Sequence, residues 1–98
     1  MNESDFMYLF SILQTMQRDL CGRYEFFTVE LSHYDGMLTS YVSACKPGGC
    51  GASWYFTTAT SIKDNIRELD SLRYHFGEGK KYRANPLRNK KSANFALT

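Results

Sequence analysis

The chain has 98 residues, 43% apolar and 15% aromatic, with a formal net charge of +2. That size admits one domain with one hydrophobic core, and the aromatic content is enough to fold without metal or disulfide staples. No stretch approaches the roughly 18 consecutive apolar residues that span a bilayer, which excludes a membrane-spanning helix on sequence grounds.

Residues 4–20 open the chain with the clearest pattern. Phe6, Leu9, Phe10, Leu13, Met16 and Leu20 recur at the i, i+3, i+4, i+7 spacing of one buried helical stripe, widened by Tyr8 and Ile12. Ser4 is the expected N-cap, and Cys21-Gly22 the expected stop. The apolar run within it lacks the features of a secretion signal, because Glu3 and Asp5 stand where positive charge is required. With three cysteines and no such signal, a reducing cytoplasm is the expected location.

The period then changes from 3.6 to 2. Residues 24–34 alternate, with Phe27, Val29, Leu31 and His33 on one side and Tyr24, Phe26, Thr28, Glu30, Ser32 and Tyr34 on the other. Asp35-Gly36 is a two-residue type I′ hairpin signal, since both positions require positive φ. A second strand over 37–45 follows, and the turn sets its register. Tyr34 pairs with Met37, His33 with Leu38, Leu31 with Ser40, Val29 with Val42 and Phe27 with Ala44. Those pairs are the expected core face.

A Lys-Pro-Gly-Gly breaker at 46–49 leads to a third strand over 52–58, rich in Trp54, Tyr55, Phe56, Thr57 and Thr58. Ser61 with Asp64 matches a helix-capping signature. Ile62, Ile66, Leu69, Leu72 and Phe76 then keep helical spacing as far as Gly77. The expected fold is therefore α+β, a single α-β-β-β-α domain over 1–77. Its three-stranded antiparallel sheet carries both helices on one face.

Charge divides at the same place. Residues 78–98 carry six basic side chains against Glu78, a net +5, which leaves 1–77 at −3. Gly79, Pro86 and scattered Asn and Lys break any period, so this segment is expected to be a basic, extended tail. Tyr82, Leu87 and Phe95 are spaced through its charges as apolar anchors, a pattern that favours an arm folding onto something.

No motif carries catalysis. Cys45 and Cys50 flank the glycine-rich loop at C-x4-C spacing without a second pair, so zinc and a disulfide are both weaker readings than ordinary thiols. The Gly-Gly-Cys-Gly stretch lacks the lysine of a phosphate loop and the arginine of a phosphatase loop. His33 and His75 have boundary and helix-terminus roles, and the carboxylates are too scattered for an acid/base pair. Neither a cofactor nor a metal is expected, and the chain reads as a binding protein.

Its candidate partner-binding residues are the outer-face aromatics Tyr24, Phe26, Tyr34, Tyr41 and Tyr55, together with Lys80, Lys81, Tyr82, Arg83, Arg88, Lys90 and Lys91 of the tail. Stacking platforms for nucleic acid interleave aromatics with Arg and Lys, whereas this face offers Glu30; a protein partner fits it better. Beside that surface, the carboxylates of Asp64, Glu68 and Asp70 are candidate phosphate mimics. The tail supports a rival reading, a nucleic-acid-binding protein using residues 80–91 for phosphate contacts.

The element order is shared with double-stranded RNA-binding domains, but those place a lysine cluster at the start of the last helix, where this chain has Ser61-Ile62-Lys63-Asp64-Asn65. In size, compactness, acidic-leaning core and absence of catalytic groups, residues 1–77 resemble small phage-encoded inhibitors of host defence such as anti-CRISPR proteins, and the hairpin at Asp35-Gly36 and the capped helix at Ser61 are compatible with that layout. The resemblance implies a stoichiometric inhibitor acting in the host cytoplasm. It would occupy a protein or nucleic-acid site on a host protein or ribonucleoprotein complex, foremost a CRISPR-type, nucleic-acid-handling machine.

Overall fold

Helix α1 (Glu3–Leu20) forms on the expected stripe. Phe6, Leu9, Leu13, Met16 and Leu20 are fully buried, each such side chain contributing about 2 kcal/mol of apolar burial. In this computed structural model, which describes residues 1–77, 81–84 and 87, the helix starts slightly earlier than expected. Asn2 is the N-cap in place of Ser4, its Oδ1 accepting the Asp5 N–H at 2.7 Å. Asn2 has the extended backbone that a cap needs, whereas Ser4 already lies in the first turn. The helix ends in a short 3-10 turn, Cys21–Arg23.

Strands β1 (Phe26–Tyr34), β2 (Met37–Cys45) and β3 (Gly51–Thr57) form one antiparallel sheet in the order β1-β2-β3. The hairpin closes at Asp35 (φ 54°) and Gly36 (φ 76°), both in the left-handed region that a type I′ turn requires. Every expected β1–β2 pair is present, from Tyr34 with Met37 to Phe27 with Ala44. β3 then pairs with β2 so that Tyr55 lies beside Tyr41 and Trp54 beside Val42.

Helix α2 (Ile62–His75) is capped as expected, Ser61 Oγ accepting the Asp64 N–H at 3.1 Å. It ends at Gly77, whose φ of 72° suits a helix terminus. Both helices cover the sheet face that carries Phe27, Leu38, Val42, Ala44, Trp54 and Phe56, and the expected α+β single domain is the fold that results.

The core departs from expectation in three places. Tyr24 was expected on the outer face, but regular pairing begins at Phe26 and the chain enters β1 directly from the 3-10 turn. Its ring turns to the helix side and meets Phe76 edge-on, with centroids 4.7 Å apart. Leu31 and His33 lie on the expected core side yet are exposed, because the far half of β1 overhangs the helices; their partners Ser40 and Leu38 are buried. The core also continues past Gly77. Ala84 and Leu87, expected to be part of an extended tail, are buried within it.

Candidate protein-binding face

The sheet face away from the helices is set by strand alternation. Across its middle run Glu30, Tyr41 and Tyr55 as cross-strand neighbours, with Thr28, Ser43 and Ser53 on one side and Ser32 and Thr39 on the other. Phe26 lies at one end and the Tyr34–Met37 pair at the other. Phe26, Met37, Tyr41 and Tyr55 are each between about a third and a half exposed, and Tyr34 is 78% exposed. Among the described residues, this face includes the Glu30 carboxylate and neither lysine nor arginine. Large amphipathic rings around one carboxylate suit a partner that supplies apolar groups and cations, and repel phosphate.

Beside Tyr55 the face runs into a polar depression of about 350 Å3 bordered by Asp64, Arg67 and Glu68. The acidic groups here have structural partners. Glu68 Oε2 accepts the Tyr55 N–H at 3.1 Å, Asp64 lies 3.7 Å from Arg67, and Asp70 is paired with Arg73.

Of the twelve residues expected to bind a partner, the structure brings Phe26, Tyr34, Tyr41 and Tyr55 onto this face. Tyr24 is diverted to the core. Tyr82 is also engaged: it packs against the core and donates its hydroxyl to Asp19 Oδ2 at 3.0 Å, and that bond holds the Asp19 carboxyl below its ordinary range. Lys81 and Arg83 are exposed, the Lys81 ammonium sitting 5.6 Å from the Tyr82 ring centre. Lys80, Arg88, Lys90 and Lys91 lie outside the described residues.

The sequence gives little sign of the residues that finish this end of the molecule. Arg73, on a helix position that reads as solvent-facing, is buried and donates to the Lys81 carbonyl at 3.3 Å, tying Lys81 to α2. Asn65 is 2% exposed and serves the β3 edge. Its Oδ1 accepts the Thr57 N–H at 3.1 Å, while its amide donates to the carbonyls of Thr57 and Ser61, both at 2.9 Å.

The thiols differ in setting. Cys21 and Cys50 are exposed, whereas Cys45 is buried against the carbonyls of Lys46 and Gly49, with its Sγ 3.1 Å from the latter. Burial first, then the nearby Glu25 carboxylate, pushes the Cys45 thiol up from its ordinary value. Among the described residues there is no cluster of three or more histidine, cysteine or acidic side chains able to hold a metal, and no helix long and apolar enough to cross a membrane. Comparison with known protein families, curated proteins and solved structures finds no match for this chain.

Proposed function

We propose that this chain is a non-catalytic binding protein that blocks a larger nucleic-acid-handling complex of a host cell, in the manner of an anti-CRISPR protein, by docking its outer sheet face on that complex. The observation that carries the reading is the face of Phe26, Tyr34, Met37, Tyr41 and Tyr55 around Glu30, without a cation among the described residues. Complexes that handle nucleic acid hold it in grooves lined with Arg and Lys, and tyrosines beside a carboxylate meet such grooves through cation–π contacts and charge-assisted hydrogen bonds. Tyrosine also supplies rigid contact area at low entropic cost, which makes Tyr41 and Tyr55, side by side at the centre, the expected energetic anchors.

The test is inhibition of target-DNA binding by a purified CRISPR-type effector ribonucleoprotein, measured with the chain and with a Tyr41→Ala/Tyr55→Ala double variant. The double variant is expected to fold and to inhibit about 100-fold less potently. Equal inhibition by both proteins overturns the assignment of this face. Binding to naked nucleic acid that weakens steeply with salt, with no effect on the complex, supports the rival reading through the basic segment.

A further inference from the structure

The phase of the backbone ladder determines which groups look out of the sheet. Thr58 N–H donates to the Leu38 carbonyl at 2.9 Å, so Leu38, Ser40, Val42 and Ala44 turn their backbone groups toward β3. The alternate residues of β2 turn theirs toward Tyr34, Ser32, Glu30 and Thr28 of β1. Phe27, Val29, Leu31 and His33 therefore direct N–H and C=O away from the sheet along its β1 edge. Gln17 reaches across from α1 and donates its Nε2 to the Phe27 carbonyl at 3.2 Å. Beyond that point, no hydrogen bond from a described residue covers Val29, Leu31 or His33, and Leu31 is 43% exposed.

Among the described residues little blunts this stretch. It has no proline, no lysine and no bulge, three of the devices by which edge strands avoid pairing with another chain, and its acidic residue is Glu30 on the outer face. Outward-facing residues of two antiparallel copies pair with one another, so only a few registers are open. A register that sets Val29 against Leu31 of a second copy puts Glu30 directly opposite Glu30 and requires the Phe27 carbonyl that Gln17 occupies. One that sets Val29 against Val29 requires the same carbonyl. The register centred on Leu31 avoids both conflicts and is the longest that does. Leu31 meets Leu31, Val29 meets His33, Glu30 meets the hydroxyl of Ser32, and Thr28 meets the ring of Tyr34.

We propose that two copies of this chain associate through β1 in antiparallel register about a two-fold axis at Leu31, making one continuous six-stranded sheet. Each outward N–H and C=O of Val29, Leu31 and His33 then finds a backbone partner in the other copy. The exposed Leu31 side chains cover one another on the helix side of the sheet. The outer aromatic faces of the two copies join into one surface. This inference is independent of what that surface binds.

Sedimentation equilibrium of the full chain at micromolar to near-millimolar concentration tests it, alongside Leu31→Pro. Proline at 31 removes an outward N–H and none from the β1–β2 ladder, so the variant keeps its fold by circular dichroism. The wild type is expected to sediment as a dimer at the upper concentrations, and the folded variant as a monomer throughout. A Leu31→Cys variant with Cys21 and Cys50 changed to serine checks the register, since a short thiol-specific cross-linker should join 31 to 31. A wild type that stays monomeric throughout overturns the proposal. So does a dimer that survives in folded Leu31→Pro, a dimer lost instead in Tyr41→Ala/Tyr55→Ala, or failure of 31 to cross-link within the dimer.

Discussion

The two edges of the sheet dispose of their outward backbone groups differently. Along β3, helix α2 follows after a short connection and lays side chains over the edge: Glu68 accepts the Tyr55 N–H, and Asn65 accepts the Thr57 N–H and donates to the Thr57 carbonyl. Along β1, helix α1 provides Gln17 at Phe27 and leaves the strand beyond it to overhang. The difference comes from polar residues at particular helical positions, since both helices pack on the same face with comparable apolar stripes. An edge is closed by its neighbours' side chains, and its own strand propensity says little about whether it will be.

That comparison can be broken or sharpened by substitution. The largest effect is expected at Asn65→Ala, which leaves the buried Thr57 N–H without its acceptor and removes one of several donors from the Thr57 and Ser61 carbonyls. A loss of about 3 kcal/mol follows, measured by urea unfolding; a loss below about 1 kcal/mol would show that water replaces the amide and that the β3 edge is not closed by it. Glu68→Ala frees one N–H at an exposed site and is expected to cost about 1 kcal/mol in the same measurement. Gln17→Ala on the β1 side is expected to cost about 0.5 kcal/mol, with faster amide exchange confined to the start of β1. A cost equal to that of Asn65→Ala would erase the contrast between the edges.

The smallest effect is one of pH. His75 packs against Trp54 of β3, with ring centroids 5.0 Å apart, and desolvation by burial, then the charge of Lys46, lower its pKa below the ordinary 6.5. The unfolded chain thus takes up this proton first as the pH falls below 6.5. The stability associated with neutral His75 is present above that value and lost as pH drops toward the lowered one. His75→Gln should flatten this part of the stability profile measured between pH 7 and 5; an unchanged slope would remove His75 as its source.

Much of this fold is readable from local chemistry. Asp35-Gly36 tolerates positive φ at both positions, and that alone settles nine cross-strand pairs. Ser61 three residues before Asp64 marks the start of α2 for an equally local reason. The outer-face rings Phe26, Tyr34, Tyr41 and Tyr55 follow from alternation once the register is known. What the sequence conceals depends on distant partners. Asn65 and Gln17 look like ordinary polar helix residues until the strands beside them are in place. The diversion of Tyr24 depends on Phe76, and the burial of Ala84 has no local signal in a charged stretch where only Tyr82 and Leu87, as apolar anchors, hint at packing. Where a helix stops covering a strand is likewise a matter of packing geometry, so the exposure of Leu31 and His33 lies outside any periodicity.

Cys45 gives the molecule a built-in chemical clock. A buried thiol raised by burial and by Glu25 offers little thiolate to an alkylating reagent, whereas Cys21 and Cys50 stand exposed as internal references on the same chain. Under a pulse of iodoacetamide the two exposed thiols should be consumed first. Modification of Cys45 should then proceed only as fast as the end of β2 and the adjoining glycine loop open. The lag between them measures how often that corner of the native sheet comes apart, with no engineered label on the protein.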